Sequence, residues 1–405
     1  MTVALFHPGT QHSRQTAVAL QELRQLAFFA TGIFGTVGSG SGPLARRLAE
    51  ASQGFGDDRL DPGLVRTFPQ YELPERVLSR LGAARAAAAF DRFANDRMGR
   101  SVAAMARSGG ARVLWGYDNS SLTAFTHPAA RGMTRVLDRT IGDWREWNRQ
   151  VDRIEDTHAD WLPSEFGRAS AALVERSEAE YAAATRILCP SPFVRDTILR
   201  HSCVEGLQSK LALLPYAYDD RHFAPPAEIH ERAEGEPLRV LFAGQVSARK
   251  GVQHVLEAFD RMPSGSVKLT CAGPLAVPEA VLAPWRERVD FRSKVSRIEL
   301  ARLMQAHEVL VLPSYFEGSA IVLLEALASG LAVIATPQAG LGPSAASAIT
   351  LAEPDSLALA QALEELVQDR ARLVAMRRAA PGDAAPHSLA AYRARIAEFL
   401  ASLEG

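Results

Sequence analysis

Leu310-Val311-Leu312-Pro313-Ser314-Tyr315-Phe316-Glu317-Gly318 starts as a buried apolar strand, breaks at Pro313-Ser314 and turns to present a carboxylate. A helix beginning near Ser319 then carries a second carboxylate, Glu325, before Gly330. A strand that ends in a turn and feeds a helix is the repeating unit of a parallel α/β sheet, so this stretch sets the fold class.

The same rhythm runs outward in both directions. Downstream of residue 237, apolar and β-branched runs predict strands over 238–243, 267–272, 289–292, 309–312, 331–336 and 348–351, with helices between them and one over 252–262. Upstream, strands are predicted over 2–7, 26–33, 65–68, 112–117, 134–139, 186–190 and 210–215, with helical stretches over 15–25, 83–107 and 170–184. Between the halves, Ala224-Pro225-Pro226 and the polar run 227–237 bury no face and read as a linker. The expected domains are 1–225 and 226–387, followed by a helix over 388–405 with no strand after it, which can cross back to the first domain. The Gly/Ser-rich stretch 32–42 lacks the Lys-Ser/Thr ending of a phosphate loop and reads as a mobile connector.

Bulk properties narrow the function. The chain has 405 residues, 47% apolar and 22% charged, with a formal net charge of −1, which suits two globular domains and gives no sign of a nucleic-acid partner. Cys189, Cys203 and Cys271 show no metal-ligand spacing and no disulfide framework, which fits a reducing cytoplasm. No apolar run reaches membrane-spanning length, and residues 1–8 read as a first strand rather than a signal peptide, so the expectation is a cytoplasmic protein, at most peripheral at the inner membrane face.

The two carboxylates, eight residues apart, lie at most about 12 Å apart along a helix axis, the scale of a nucleotide sugar from hexose to ribose. A carboxylate accepts two hydrogen bonds at once and so suits adjacent sugar hydroxyls. Between them, the N–H groups of Ser319, Ala320 and Ile321 open a helix, where an anion is favoured. Val240–Gly251 adds a second signal: a strand running into Gly244, then Gln245 in a polar loop, then Arg249-Lys250-Gly251 before a helix, a cation pair placed to neutralise a diphosphate.

Together these residues closely resemble glycosyltransferase family 4, a retaining family of GT-B fold. Its Gly-[Arg/Gln]-x-x-x-x-Lys-Gly element matches Gly244, Gln245, Arg249, Lys250 and Gly251. Its Glu-x7-Glu element matches Pro313, Ser314, Glu317, Gly318, Glu325, Ala326 and Gly330. The likeness is specific over about residues 186–340, with Pro190-Ser191, Pro215, Asp219 and Phe223 as looser matches, and only topological before that. It implies two Rossmann-like domains facing a cleft, the first for the acceptor and the second for the donor. Glu317 would contact the transferred sugar, Glu325 the ribose, and Lys250 with Arg249 the diphosphate. Backbone near Lys294 and Val295 would meet the base, beside Gly273 on a neighbouring strand end. Ala217 and Ala320 stand where glycines are common in the family, which puts the loop shape near the sugar in question.

The implied reaction moves a hexose from a UDP- or GDP-sugar to a glycan, lipid-linked or small acceptor, as in bacterial polysaccharide synthesis, with neither cofactor nor metal. A metal-binding Asp-x-Asp after a strand has no counterpart in Asp57-Asp58-Arg59-Leu60-Asp61. A sugar-nucleotide epimerase, a phosphorylase-like enzyme with a pyridoxal lysine, and a non-catalytic donor-binding subunit are the rival readings. On the acceptor side the candidates are Gly9, His12 and Arg14 in and after the first loop, with His7 beside them. Asp118, a candidate catalytic group, and Asp138-Arg139 follow predicted strands. Residues 144–149, mixing Trp and Arg, read as a short helix packing at the rim.

Overall fold

The computed structural model describes residues 1–9, 12–34, 57–71, 84–163, 167–340 and 346–404. Two parallel sheets organise them. The first has order β3-β2-β1-β4-β5-β6-β7, from β1 (Val3–Phe6), β2 (Leu26–Thr31), β3 (Val65–Thr67), β4 (Val113–Tyr117), β5 (Thr134–Asp138), β6 (Arg186–Cys189) and β7 (Leu211–Leu213). The second has order β10-β9-β8-β11-β12-β13, from β8 (Leu238–Ala243), β9 (Val267–Ala272), β10 (Asp290–Arg292), β11 (Val309–Leu312), β12 (Ala332–Ala335) and β13 (Ala348–Thr350). Every pairing is parallel, as in Val309↔Val240 and Val3↔Val113. The central strands β1, β4, β11 and β12 are buried at every residue, because helices cover both faces.

In each sheet the strand order reverses once, between β1 and β4 and between β8 and β11. Loops leaving the carboxyl ends of neighbouring strands diverge there, and a crevice opens. The groups of the candidate site lie in these two crevices. The stretch 32–42 expected to be a mobile connector lies, from residue 35 on, outside the described residues. Asp57 binds Arg59 at 2.6 Å and Asp61 caps the turn Pro62–Leu64, so the acidic run 57–61 is engaged in local structure. Cys189, Cys203 and Cys271 are all free thiols. Among the described residues, no helix is long and apolar enough to cross a membrane.

The helices that matter are α1 (Ser13–Glu22), α2 (Ala84–Ser108), α3 (Trp144–His158), α4 (Ala171–Ala183), α5 (Pro192–His201), α6 (Val252–Arg261), α7 (Arg297–Ala306), α8 (Ile321–Ala328) and α9 (Leu389–Ser402). Helix α9 follows the second sheet in sequence yet packs on the first. Tyr392, Ile396 and Leu400 join a core built from Val3, Leu5, Trp115, Tyr117 and Val136, and Phe399 meets Trp115 edge-on at 5.6 Å. The Thr16 hydroxyl lies 2.9 Å from Tyr392 Oη and 2.8 Å from Tyr117 Oη, stitching α1, α9 and β4 together. Ser388 caps the helix by accepting from the Ala391 N–H.

That seam corrects one acceptor-side expectation. Side chains alternate across a strand, and Asp138 falls on the same face as Val136, toward α9 rather than toward the cleft. Its carboxyl is buried and accepts from Tyr216 Oη at 2.9 Å and Trp115 Nε1 at 3.4 Å. Burial pushes its pKa up to about 7, against the pull of those two hydrogen bonds. A folded-state value above the unfolded one means that the native protein holds the extra proton, so stability falls as pH rises through the interval up to about 7. We expect the urea-unfolding free energy of the first domain to drop by a few kcal/mol over that interval. Asp138→Asn should flatten that slope, and an unchanged slope in the variant would refute the assignment.

Candidate functional site

In the second sheet the crevice is held open by backbone. Gly244 follows β8 at φ 132° and Gly273 follows β9 at φ 138°, values that favour glycine. A Cβ on Gly273 would stand 2.0 Å from the Gly244 carbonyl oxygen, and one on Gly244 would press on the methylenes of Lys250. Gly251, at φ 74°, approaches Pro313 so closely that a Cβ would meet its carbonyl oxygen at 2.0 Å. The Tyr315 N–H donates to the Arg249 carbonyl at 2.9 Å. The loops after β8 and β11 are thereby locked together.

Their charged groups converge on one point. Glu317 Oε1 lies 2.7 Å from Lys250 Nζ and 2.8 Å from Arg249 Nη1, and Arg249 also donates to the Phe316 carbonyl at 2.8 Å. Burial works to raise the Glu317 pKa, but the Lys250 and Arg249 charges outweigh it and hold the carboxyl below the usual range. Two cations against one anion leave a surplus positive charge at this crevice. Gln245 is exposed beside it. Gly273 N–H donates to the Arg292 carbonyl, which sets exposed Lys294 and half-buried Val295 at the neighbouring strand end.

Helix α8 begins two residues later than expected, at Ile321. The Ala320 N–H is spent on the Ala339 carbonyl at 2.9 Å, so of the backbone donors expected to meet an anion this one is engaged, while Ser319 and Ile321 flank it half-buried. Ala320 sits at φ −74°, and Ala217 likewise lies outside the positive-φ positions, so the missing glycines leave the backbone unstrained. Glu325, facing inward from α8, pairs with Arg297 Nη1 of α7 at 2.6 Å. Burial raises its pKa even so, since the half-exposed arginine compensates only in part. Arg297 also lies 4.9 Å over the Phe223 ring. No sequence pattern singled it out.

Across the cleft, the crevice of the first sheet opens into a cavity of about 250 Å³ lined by His7, Gly9, Tyr71, Asn95, Asp118 and Asn119, among others. His7 Nδ1 accepts from the Gly9 N–H at 3.0 Å, and burial keeps the ring neutral by lowering its pKa. His12 lies against Tyr216 at 4.1 Å rather than in this lining. Burial, then the nearby His7, pull its pKa down to about 4, so it supplies no positive charge. Arg14 is half-buried in the first turn of α1. Arg139 needs correcting. Its side chain is fully buried against α4, beside Ser177, and it donates to the Ile141 and Gly142 carbonyls and lies 3.5 Å from Asp118 Oδ2, so it shapes a loop from within the fold. Asp118 is turned the same way: Oδ1 accepts from the N–H and hydroxyl of Thr140 at 3.1 and 2.8 Å. Glu180 of α4 supports it by accepting from the N–H groups of Asn119, Ser121 and Leu122.

Thr140 in turn touches the second domain. A Cβ on Gly318 would fall 1.7 Å from the Thr140 carbonyl oxygen, and Ser191 Oγ donates to the Gly318 carbonyl at 2.5 Å. Phe316 plugs the joint against Trp147 and Phe193, at 5.4 and 5.8 Å, and Gly142 leaves room for its ring. The Trp147 helix corrects another expectation: α3 runs 15 residues and lies between the domains, not at a rim. Ser191, singled out in the sequence, acts both as the cap of α5 and as the cross-domain donor.

Residues 237–369 match the family model described as glycosyl transferases group 1. Among curated proteins, a D-inositol 3-phosphate glycosyltransferase of Corynebacterium urealyticum is 30% identical over 220 residues, 48% of this chain and 52% of the relative. A mannosylfructose-phosphate synthase of Agrobacterium fabrum is 25% identical over 226 residues, 50% and 48% of the two chains. The chain thus spans about half the length of the curated relatives it matches. Among solved structures, a sucrose-phosphate synthase from Thermosynechococcus elongatus superposes with TM-score 0.70 at 16% identity, covering 100% and 99% of the chains. Anabaena HepE, solved in complex with UDP-glucose, superposes with TM-score 0.60 at 14% identity, covering 99% and 100%.

Because Gly318 has no room for a methyl group, Gly318→Ala should part the domains. We expect a larger radius of gyration in small-angle scattering with the secondary structure intact. An unchanged radius would show that the cleft contact does not hold the domains together.

Proposed function

The fold is GT-B, and from that premise we propose that the protein transfers a sugar from a nucleoside diphosphate donor to a hydroxyl acceptor. The observation that carries the reading is the Glu317–Lys250–Arg249 cluster, with its surplus positive charge, at the crevice facing the first-sheet cavity. The match of residues 237–369 to glycosyl transferases group 1, and a structural neighbour that binds UDP-glucose, support it.

In this reading Glu317 holds the place of the donor's diphosphate between the two cations. When the donor enters, Lys250 and Arg249 pass to the diphosphate and stabilise its departure, while Glu317 turns to the sugar hydroxyls. Glu325 accepts from the ribose in competition with Arg297. The acceptor lies in the cavity beside Asp118, whose acidic and amide lining suits a polyhydroxylated sugar, and it attacks from the face the leaving group vacates. A diphosphate oxygen takes its proton, and the anomeric configuration is retained. Asp118 is a positioning residue, holding Thr140 against Gly318 rather than moving a proton. The two side-chain cations do the work that a metal does elsewhere, so turnover should survive EDTA. A UDP- or GDP-hexose donor, a glycan or lipid-linked acceptor and a place in bacterial polysaccharide synthesis complete the proposal.

Melting curves with UDP, GDP, ADP and their sugars test it. A ligand at about a hundred times its Kd adds about 2.7 kcal/mol, a shift of several degrees. One nucleotide should raise the melting temperature, and Lys250→Ala should abolish the rise. No response to any nucleotide would overturn the donor site. Glu325→Gln separates binding from folding: relieving a buried carboxylate of raised pKa should leave the protein as stable or more so at neutral pH, while nucleotide affinity falls about tenfold. Equal loss of stability and affinity would make Glu325 a structural residue.

A further inference from the structure

Away from both crevices, three side chains meet where the domains touch. His158 is the last residue of α3, from the first domain, and His254 and Glu257 lie three apart on one face of α6, in the second. One ring nitrogen of each histidine and a carboxylate oxygen lie within 4.8 Å of one another. His158 Nε2 is 2.9 Å from Glu257 Oε1, and His254 Nδ1 is 3.9 Å from Glu257 Oε2.

We propose that His158, His254 and Glu257 form a zinc-type metal site that ties the two domains together across the cleft. Bonds of about 2.0–2.1 Å in tetrahedral geometry space the ligand atoms about 3.3 Å apart, between the two separations above. Two imidazoles and a carboxylate suit zinc rather than magnesium or calcium. The outer partners that such ligands need are in place: His158 Nδ1 meets Thr157 Oγ1 at 2.8 Å, and His254 Nε2 meets Tyr315 Oη at 2.6 Å.

The decisive atom is His254 Nδ1. The residue is 6% exposed, and this nitrogen is buried with no hydrogen-bond partner among the described residues. With Nε2 held by Tyr315, the ring aims an unused nitrogen at Glu257 and His158. A simple His158–Glu257 pair would account for two of the three groups and leave this one unexplained. A metal accounts for all three. Tyr315 stands two residues before Glu317, so the clamp and the anion site share one loop, and zinc stabilises the closed arrangement without touching the diphosphate crevice.

The test is a titration of the full chain, stripped with a chelator, with Zn²⁺ by calorimetry and with Co²⁺ by visible absorption. We expect one equivalent of tightly bound zinc, cobalt bands of a low-symmetry site, and a higher melting temperature with metal. His158→Ala and Glu257→Gln, both at partly exposed positions, should each weaken binding at least tenfold while circular dichroism stays unchanged. His230→Ala, removing an exposed histidine that pairs with Glu228, should have no effect. Absence of stoichiometric zinc, equal binding in the two ligand variants, or loss of binding with His230→Ala instead would overturn the proposal. None of these readouts depends on sugar transfer, so the outcome stands apart from that of the nucleotide experiment.

Discussion

Everything in the cleft depends on one backbone contact, the seating of Gly318 against Thr140. The Ser191 hydroxyl fastens the Gly318 carbonyl from the first domain, and Thr140 fills the space where any side chain would stand. The residues on either side take their places from it. Phe316 is driven into the joint between Trp147 and Phe193, and Glu317 is left facing its two cations. Behind Thr140, Asp118 and then Glu180 transmit the constraint to the floor of the opposite cavity. The two crevices therefore face each other through a chain of hydrogen bonds and one steric stop.

Three buried carboxyls show how finely pairing is graded around this frame. Glu317 meets two cations and stays ionised despite its burial; Glu325 meets one half-exposed arginine and is pushed toward protonation; Asp138 meets only hydroxyl and indole donors and is pushed further. Burial is the largest influence on each, and the charges in reach decide the direction of the outcome. Of the three, only Glu317 is held below the usual carboxylate range, because two cations face it.

Much of this was legible in the residues. All the strands expected in both halves are present, because a parallel strand covered on both faces leaves an unbroken apolar run bounded by glycine or proline. The Gly244, Lys250 and Glu317 convergence could be read because its parts sit at the ends of such runs. What was not legible involved the third dimension. For Asp138 and Arg139 the strand was right, but the cleft side of it was not, since alternation states which residues share a face without saying which face is wet. Arg297 comes to Glu325 from a separate helix, and α3 owes its place between the domains to docking that no local period records. His158 and His254 are nearly a hundred residues apart, and only the packing of the two domains brings them together.

Helix α9 has a consequence for how the chain must be made. Thr16 and Tyr392, bonded to each other, are 376 residues apart in sequence. While a ribosome delivers the chain from its N-terminus, the first sheet forms with Trp115 and Tyr117 uncovered. It stays so until the whole second sheet has been synthesised. An apolar face waiting that long invites association with other chains. The first domain, though earlier in sequence, is therefore the later to be completed, and its nascent form is a natural client for chaperones that shield exposed sheet faces.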